Sequence, residues 1–397
     1  MQEFQLDRRT GDVDYIKRVN LGHVISRLKQ EGSMSRAELS RKLGLSKSTC
    51  SLLVDELLSK KLVTELGKDK SSGGRKPTLV DLNYYAGVAV GLKIMIDRIS
   101  GVLIDLSGKV TCSDEIHISP HSRVDEYYEK TLEIINRLIH NNDKIADREI
   151  YGVGISMGGR INYDAGVLIE SSILHWHNEA FARNIEAKIG LPVFLENDVN
   201  TFAWGENHFG HGKNYSNYVC ISIGQGIGAG IIINNQIYKG SHHGAGEFGH
   251  MKIAHQKDLR RCSCGEYGCL EAYASTPALL KEATLKYGER VNMEALLKKA
   301  SEKDGRALEI FQNAAQYLGL GIANLVNIFD PEVVLIGGEG TAYTEYITDE
   351  VQRVLSENIV YDLANEIPVV FLPYEADMWS RGTAAMVLME HLQIAFE

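Results

Sequence analysis

Three cysteines and a histidine that lie close together constrain the fold of this chain more than any other feature of its sequence. They follow the spacing H-x11-C-x-C-x4-C and are His250, Cys262, Cys264 and Cys269. Three thiolates and one imidazole complete the tetrahedral shell of a structural zinc ion and leave no position for a reactive water. The spacing therefore predicts that Zn²⁺ fastens residues 250–269 into one compact unit with a structural role.

The other cysteines and the N-terminus indicate the cellular setting. The remaining three of the six cysteines are isolated, at Cys50, Cys112 and Cys220. The first residues, MQEFQLDRRTGDVD, lack the apolar core of a signal peptide, and no apolar run approaches the roughly 20 residues of a membrane span. We expect a cytoplasmic protein without membrane contact, in which clustered cysteines indicate metal binding before disulfides.

The charge of the chain is unevenly distributed. The formal net charge is -10, which by itself argues against nucleic-acid binding. Residues 1–80, however, carry 16 Lys+Arg and 10 Asp+Glu, a net of +6, which leaves 26 basic and 42 acidic residues, a net of -16, for the remainder. This asymmetry is typical of a small DNA-binding module joined to an acidic body. A solvated basic segment is the alternative.

Helix signals dominate the basic end. Apolar residues recur at helical spacing between Tyr15 and Gln30. A capping box at Ser35-Arg36-Ala37-Glu38 opens a second helix that ends near Gly44, and Ser46 caps a third. On this third helix we expect four leucines to face inward, namely Leu52, Leu53, Leu57 and Leu58. The alternating segment 62–66 predicts a strand. Together these signals predict a winged helix-turn-helix over residues 1–70 and a linker over 71–81.

The third helix begins with SKSTCS, short hydroxyl donors and a lysine of the kind that a helix presents to the major groove. Its N-terminus also favours phosphate. In the linker, Gly-Gly-Arg-Lys-Pro can lay its arginine in a narrow minor groove. A plain helical hairpin and a flexible linker are the alternatives. The predicted contacts with double-stranded DNA are Arg36, Ser46, Lys47, Ser48, Thr49, Arg75 and Lys76.

From about residue 82 strand patterns alternate with amphipathic helices. Strands are predicted at VAVGLKIMI, RISGVLIDL, IYGVGISMG, YVCISIG, GAGIIIN and VVLIGG, and long helices at 123–140 and 306–329. Alternation of this kind predicts an α/β domain, or two, over residues 82–397.

Several motifs of this region resemble the ROK family, which groups repressors, open reading frames and kinases. They include GAGEFGHMKIAHQKDLRRCSCGEYGCLEAYAS, LENDVNTFAWGE and ISIGQGIGAGII. The resemblance covers nearly the whole chain, and the N-terminal half is most similar to xylose repressors of Gram-positive bacteria. It implies an actin-like ATPase (sugar kinase) fold of two α/β lobes around a cleft.

The resemblance also implies a sugar site. The Asn-Asp of the family's E-N-D motif binds sugar hydroxyls, and the aspartate is the base in the kinases. Carboxylates and amides suit a polyol because they accept and donate several hydrogen bonds at once. The residues at matching positions are Asn197, Asp198, Glu247, His250 and Glu271, of which the histidine also serves as a zinc ligand.

The phosphate-binding turn of the kinases is altered. Their Asp-x-Gly-Gly-Thr motif falls on Lys93, Met95, Ile96 and Asp97, as counted from the matching Ile104-Asp105. A lysine does not hold Mg²⁺, and side chains at the turn block the approach of backbone N–H groups to phosphate. Gln225 also replaces a threonine of the second phosphate loop. We therefore predict a retained sugar site, a lost nucleotide site and no enzymatic activity.

These observations predict a transcriptional repressor of sugar-utilisation genes that binds its operator as a homodimer or homotetramer and responds to a small sugar. A sugar that prefers one conformer must shift the affinity for DNA equally. Two alternatives remain at this point. One is a bifunctional sugar kinase with a DNA-binding arm, and the other is a corepressor-dependent regulator whose ligand is a sugar phosphate or a protein.

Overall fold

A computed structural model describes residues 13–68, 78–140, 145, 148–254, 259–361 and 363–394. Arg75 and Lys76, two of the predicted DNA contacts, lie outside the described residues. Within the described part of the chain, every helix is too short or too polar to cross a membrane.

The N-terminal module consists of three helices and a small sheet. Its elements are α1 (Val13–Glu31), β1 (Met34–Ser35), α2 (Arg36–Leu43), α3 (Lys47–Ser59), β2 (Val63–Lys68) and β3 (Thr78–Leu82). The capping box is confirmed, because the Ser35 hydroxyl accepts a hydrogen bond from the Glu38 N–H and the Glu38 carboxylate accepts one from the Ser35 N–H. Ser46 caps α3 as predicted. Gly44, in the left-handed conformation, ends α2.

Two details of this module differ from expectation. The last residues of the range expected to be a linker form β3, which pairs with both β2 and β1 in a three-stranded sheet. The prediction that Leu52 faces inward is wrong, because its side chain is 71% exposed. The inward stripe of α3 is instead made by Cys50, Leu53, Val54 and Leu57, whose spacing fits one helix face.

The first α/β lobe begins directly after β3. Its elements are β4 (Gly87–Ile94), β5 (Arg98–Asp105), β6 (Val110–His117), α4 (Val124–His140), β7 (Glu149–Met157), β8 (Arg160–Asn162), β9 (Val167–Ser171), β10 (Trp176–Glu179), α5 (Phe181–Ile189) and β11 (Val193–Asn197). Five strands form a sheet in the order β11-β7-β4-β5-β6, in which β4, β5 and β6 are antiparallel and β7 and β11 join in parallel.

The second lobe repeats this arrangement. Its elements are α6 (Asp198–Phe209), β12 (Tyr218–Ile223), β13 (Ile227–Ile233), β14 (Gln236–Ile237), α7 (Glu271–Ala274), α8 (Thr276–Tyr287), α9 (Met293–Ser301), α10 (Gly305–Phe329), β15 (Val333–Gly337), α11 (Thr344–Asn358), α12 (Leu363–Glu366), β16 (Val369–Phe371) and α13 (Met378–Ile394). The sheet order β14-β13-β12-β15-β16 has the same sequence of antiparallel and parallel neighbours as the first sheet. The five-stranded sheets of the two lobes thus share one topology, and the first lobe carries in addition the three-stranded sheet β10-β9-β8.

Two helices join the three parts of the molecule. The glycines Gly205 of α6 and Gly382 of α13 meet at a distance that leaves no room for a side chain. α13 also packs on β4 and β7 of the first lobe. One continuous apolar cluster contains the inward face of α1, Trp204 and Phe209 of α6, and Ala384, Ala385, Val387, Leu388 and Met389 of α13. The N-terminal module is therefore packed against the body and not merely tethered to it.

Candidate DNA face, metal centre and cleft

The N-terminal turn of α3 carries an exposed group of hydroxyls. The Ser46 hydroxyl accepts a hydrogen bond from the Thr49 N–H (3.0 Å) and lies 2.8 Å from the hydroxyls of both Ser48 and Thr49. Ser46, Lys47, Ser48 and Thr49 are all exposed. The structure thus brings four of the predicted DNA contacts together on one open surface at a helix N-terminus.

Arg36 is placed differently from the other predicted contacts. Its guanidinium lies 2.6 Å from a carboxylate oxygen of Asp55 and 3.1 Å from one of Glu65, and it also donates to the Ser51 carbonyl. These interactions join α2, α3 and the wing strand β2. Arg36 therefore links these three elements and neutralises Asp55 and Glu65. Part of its hydrogen-bonding capacity is already used within the protein.

The cysteine cluster has the geometry of a metal site. The ligand atoms of His250, Cys262, Cys264 and Cys269 all lie within 4.8 Å of one another. The sulfurs of Cys264 and Cys269 are 3.8 Å apart, and the Cys262 sulfur is 3.6 Å from Nδ1 of His250. The edge of a tetrahedron with metal–sulfur bonds of about 2.3 Å is about 3.8 Å long. All the cysteines are free thiols, so the four residues fit a tetrahedral cation.

His250 connects this cluster to the cleft. Its Nδ1 faces Cys262, and its Nε2 lies 3.8 Å from the Glu247 carboxylate. Glu247 is half-exposed, and its pKa is raised by partial desolvation, to which the nearby carboxylates of Glu271 and Asp198 add. The positive charge of His250, when protonated, opposes that shift. One imidazole ring thus lies between the Glu247 carboxylate and the cysteine cluster.

Asn197 and Asp198 lie where β11 passes into α6. The Asn197 side chain caps α6 by accepting from the N–H groups of Val199 and Asn200, and its Nδ2 donates to the Gly159 carbonyl at 3.0 Å. The second amide hydrogen of Asn197 has no acceptor among the described residues and is left for a ligand. The Oδ1 of Asp198 accepts from the Val199 N–H, and its Oδ2 lies 3.4 Å from the Lys93 ammonium.

Glu271 stands between the cysteine cluster and the glycine loop 224–228. Its Oε2 accepts a hydrogen bond from the Ile227 N–H at 3.2 Å. Its Oε1 accepts from the Ser263 hydroxyl and lies 3.6 Å from the Cys262 sulfur. Both oxygens are thus engaged within the protein, although each retains a lone pair for a sugar hydroxyl.

A small pocket opens beside Asn197 and Glu247. It is lined by Gly159, Ile161, Glu196, Asn197, Asn200, Lys239, His243, Ala245 and Glu247. Sequence reasoning found only Asn197 and Glu247 among them.

The strongest omission from the sequence prediction is the pair Glu196 and Lys239. Glu196 is buried, accepts from Asn200 at 3.0 Å and lies 3.0 Å from the Lys239 ammonium. Lys239 also sits over the Tyr163 ring. The i, i+4 spacing of Glu196 and Asn200 was readable from the sequence, whereas Lys239 is 43 positions from Glu196 and is brought there only by the fold.

The turn that binds phosphate in kinases is here a hairpin between β4 and β5. Lys93, at the position of the metal-binding aspartate, is almost completely buried. Its ammonium lies 3.4 Å from Asp198 and 3.7 Å from the centre of the Trp379 ring at the start of α13. The ammonium therefore supplies a fixed positive charge to Asp198 from within the chain.

The glycines of the second phosphate loop have a packing explanation. A Cβ on Gly228 would meet the Val199 side chain of α6 at 2.9 Å, and one on Gly226 would meet the Glu271 carboxylate at 3.0 Å. Glycine at position 228 allows β13 and α6 to approach closely, and glycine at position 226 leaves room for Glu271, both independently of any phosphate.

The far end of α6 contacts the N-terminal module. The Lys29 ammonium of α1 lies 3.9 Å above the Phe209 ring and has no hydrogen-bond partner among the described residues. Burial lowers the pKa of Lys29 to about 8. It also lowers the pKa of the neighbouring His208 to about 3, with the charge of Lys29 adding to that shift. Asp198 and this contact lie at opposite ends of one helix.

Comparison with known proteins agrees with these features. A model described as the ROK family matches residues 87–389, and one described as winged helix-turn-helix DNA-binding matches residues 20–64. The xylose repressor of Bacillus spizizenii is 32% identical over 386 residues, which cover 96% of this chain and 98% of that protein. The dual regulator NagC of Escherichia coli is 25% identical over 376 residues, covering 91% and 90%.

Solved structures give the same result for the fold. A ROK family transcriptional regulator, described as a homologue of the E. coli Mlc protein, has a TM-score of 0.84 and 27% identity, over 96% of this chain and 98% of its own. A ROK family glucokinase from Streptomyces griseus covers 76% of this chain and 99% of its own with a TM-score of 0.67 and 24% identity, a likeness of fold alone. The predicted fold class, a winged helix-turn-helix followed by two lobes of the sugar-kinase type, is confirmed.

Proposed function

Because the chain belongs to the ROK family, we propose that it is a transcriptional repressor whose affinity for its operator is set by a sugar bound in the cleft. The DNA-binding role rests on the exposed hydroxyls and Lys47 at the start of α3. We propose Arg75 and Lys76 as additional contacts to DNA. Operators of helix-turn-helix dimers have two-fold symmetry, and we propose that the chain binds its operator as a homodimer or a larger homo-oligomer.

We further propose that the cleft is not catalytic, and the observation that carries this proposal is the contact between Lys93 and Asp198. A catalytic aspartate must accept a proton from the attacking hydroxyl, and the phosphates require Mg²⁺ nearby. Here the Lys93 ammonium lies 3.4 Å from the Asp198 carboxylate and so occupies the group that would have to accept that proton. The positive charge also occupies the side of the cleft where a divalent cation would be held.

For the effector we propose a monosaccharide, with xylose as the first to be tested. Several relatives at 31–33% identity are named xylose repressors. Asp198, Glu247 and the free amide hydrogen of Asn197 offer two strong acceptors and one donor to a polyol. We propose His250 and Glu271 as further contacts, limited by their existing partners.

We propose that the cluster of His250 and three cysteines holds a structural Zn²⁺. Four protein ligands complete the coordination of zinc, so the ion supplies cross-linking and no reactive water. Zinc bound there would hold His250 in place, with its Nε2 3.8 Å from the Glu247 carboxylate.

Helix α6 provides the physical connection for the proposed response. Its first residue, Asp198, contacts Lys93 at the end of β4, and its last residue, Phe209, lies under Lys29 of the N-terminal module. A sugar that engages Asp198 competes with Lys93 and shifts α6 against α13. We propose that this shift changes the packing of α1 and thereby the position of α3, since packed helices switch between discrete arrangements.

The test is a gel shift of the full-length protein with duplexes that it selects from a random DNA library. Addition of xylose is expected to release the duplex, and xylose alone should raise the thermal melting temperature by mass action. Glucose, N-acetylglucosamine and their phosphates serve as competitors. If no sugar altered either DNA binding or melting while DNA was bound tightly, the sugar-responsive part of the proposal would be wrong.

A further inference from the structure

Leu52 is an exposed apolar residue of α3 that lies beside the exposed residues 46–49 at the start of this helix. Its side chain is 71% exposed, although four other residues of α3 are nearly fully buried. Burial in the core therefore does not account for a leucine at this position. Single exposed apolar residues are common on protein surfaces, so the argument depends on where this one lies.

Helical geometry puts Leu52 beside the hydroxyls of Ser48 and Thr49. It follows Ser48 by four residues and Thr49 by three, so the three side chains share one face of α3. Side chains on a helix lean toward its N-terminus, which carries Leu52 over the turn formed by residues 48–49. Asp55, the next residue on this face, is paired with Arg36. Its negative charge is thus compensated.

The surroundings favour DNA over a protein partner. On α3 Leu52 is flanked by Ser48, Thr49 and Asp55, and the other large apolar residues exposed in the described part of the module, Ile16 and Leu66, belong to different elements. Leu52 therefore does not extend along α3 into an apolar patch of the size that marks protein interfaces. The major groove presents one apolar group, the C5-methyl of thymine, among its hydrogen-bonding edges. A lone apolar side chain among hydroxyl donors matches that pattern.

We propose that Leu52 contacts the methyl group of a thymine in the operator and makes the chain prefer thymine at that position. This inference rests on the proposed DNA-binding function and adds a base preference to it. The neighbouring hydroxyls contact base edges or phosphates, and Leu52 supplies discrimination that a hydroxyl does not provide.

The experiment uses the full-length protein and duplexes that it selects from a random library. Each thymine of the best duplex is replaced in turn by deoxyuridine, which removes only the methyl group. We expect one position in each half-site at which this change weakens wild-type binding about three- to fivefold, the effect of one apolar carbon. Leu52→Ala should bind the thymine duplex as weakly as the wild type binds the uracil duplex, and should not distinguish the two.

Leu66→Ala on the wing strand is the matched control, because Leu66 is also an exposed leucine of the same module. It should retain the discrimination between thymine and uracil. Equal sensitivity of wild type and Leu52→Ala at every position, or discrimination that is lost in Leu66→Ala instead, would overturn the inference and leave the DNA-binding function intact. If the full-length protein selected no duplex at all, both the inference and the proposed function would fail.

Discussion

Two buried lysines at opposite ends of α6 have opposite electrostatic environments. Lys93 lies against the carboxylate of Asp198 at the start of the helix. Lys29 lies over an aromatic ring at its end, without a carboxylate or any hydrogen-bond partner among the described residues. The first charge is compensated in place. The second costs folding free energy, because a buried ammonium is desolvated.

The difference indicates that the arrangement of Asp198 is well defined, whereas the interface between α1 and α6 is less stable. A compensated pair in the cleft defines a single arrangement of Asp198 until a ligand competes for it. An uncompensated charge between α1 and α6 makes that interface less stable than an apolar contact of equal size. A contact of this kind suits a surface that must loosen when a signal arrives.

The largest effect is expected when one of the proposed metal ligands is removed. Cys264→Ser should abolish binding of about one zinc per chain, and the second lobe should lose much of its stability, since structural zinc in small domains contributes roughly 10 kcal/mol of folding free energy. Metal analysis and thermal melting of purified protein measure this. Cys112→Ser, at an isolated cysteine, is the control and should keep the metal. Wild-type protein purified without zinc or another divalent metal would refute the assignment.

The next effect concerns the compensated end of α6. Asp198→Asn should weaken sugar binding about ten- to a hundredfold, because a charged hydrogen bond is worth roughly 1.5–3 kcal/mol. DNA binding should persist, so that the variant remains on its operator at sugar concentrations that release the wild type.

Gel shifts across a sugar titration measure this response. Asp125→Asn, an exposed position on α4, is the control and should behave like the wild type. Release of Asp198→Asn at the wild-type sugar concentration would mean that the sugar binds elsewhere. Loss of DNA binding without sugar would assign Asp198 to the fold or to the coupling between the lobes.

The uncompensated end gives a smaller effect with a defined pH dependence. The pKa of Lys29 is lowered from 10.5 to about 8 by burial, so the folded protein binds this proton less tightly than the unfolded chain. The penalty is complete below pH 8 and is relieved as the pH rises toward 10.5. Lys29→Met should therefore be about 1–3 kcal/mol more stable than wild type at pH 7, after loss of the cation–π contact is deducted.

Urea unfolding of both proteins at pH 7 and pH 9.5 measures the difference, which should shrink at the higher pH. Lys17→Met, on the same helix, tests whether any removal of charge from α1 has this effect. A wild-type protein that was equally or more stable than Lys29→Met at pH 7 would show that the charge of Lys29 is compensated.

The smallest expected effect is none at all. Calorimetry with Mg-ATP at millimolar concentrations should show no binding, because Lys93 brings positive charge to the position of a metal ligand and Met95 and Ile96 occupy the turn. Sugar phosphorylation should be absent with xylose and glucose. Phosphorylation of either sugar would contradict the prediction and favour the alternative of a bifunctional sugar kinase with a DNA-binding arm.

Features that depend on neighbouring residues were predictable from the sequence. The capping box at Ser35, the cap at Ser46 and the spacing of the cysteines are local signals, and the structure agrees with each. The prediction for Leu52 was wrong because it used the hydrophobicity of the residue and ignored its angular position on the helix. The stripe through Cys50, Leu53 and Leu57 turns Leu52 to the opposite side of α3.

Features that depend on tertiary contact were beyond the sequence. The replacement of an acid by Lys93 was visible, but its pairing with Asp198 requires β4 and β11 to be assembled in one sheet and α6 to begin at Asp198. In the same way Lys29 reads as a solvated residue at the end of α1, and only packing against α6 shows its burial. Strand β3 was missed because its partner, β2, lies across the segment expected to be a linker.

The position of β3 has a consequence for protein engineering. A chimaeric regulator with its crossover in residues 71–77 would take β2 and β3 from different parents and divide the wing sheet between them. The better crossover lies in residues 83–86, between β3 and β4, where Asn83 bonds back to Leu62 and Lys61 of the wing side. Even there the two parents must match along α1, α6 and α13. To exchange DNA-binding modules among such regulators, the interface of the module with the body must therefore be transferred as well. A longer linker between the two parts does not replace that interface.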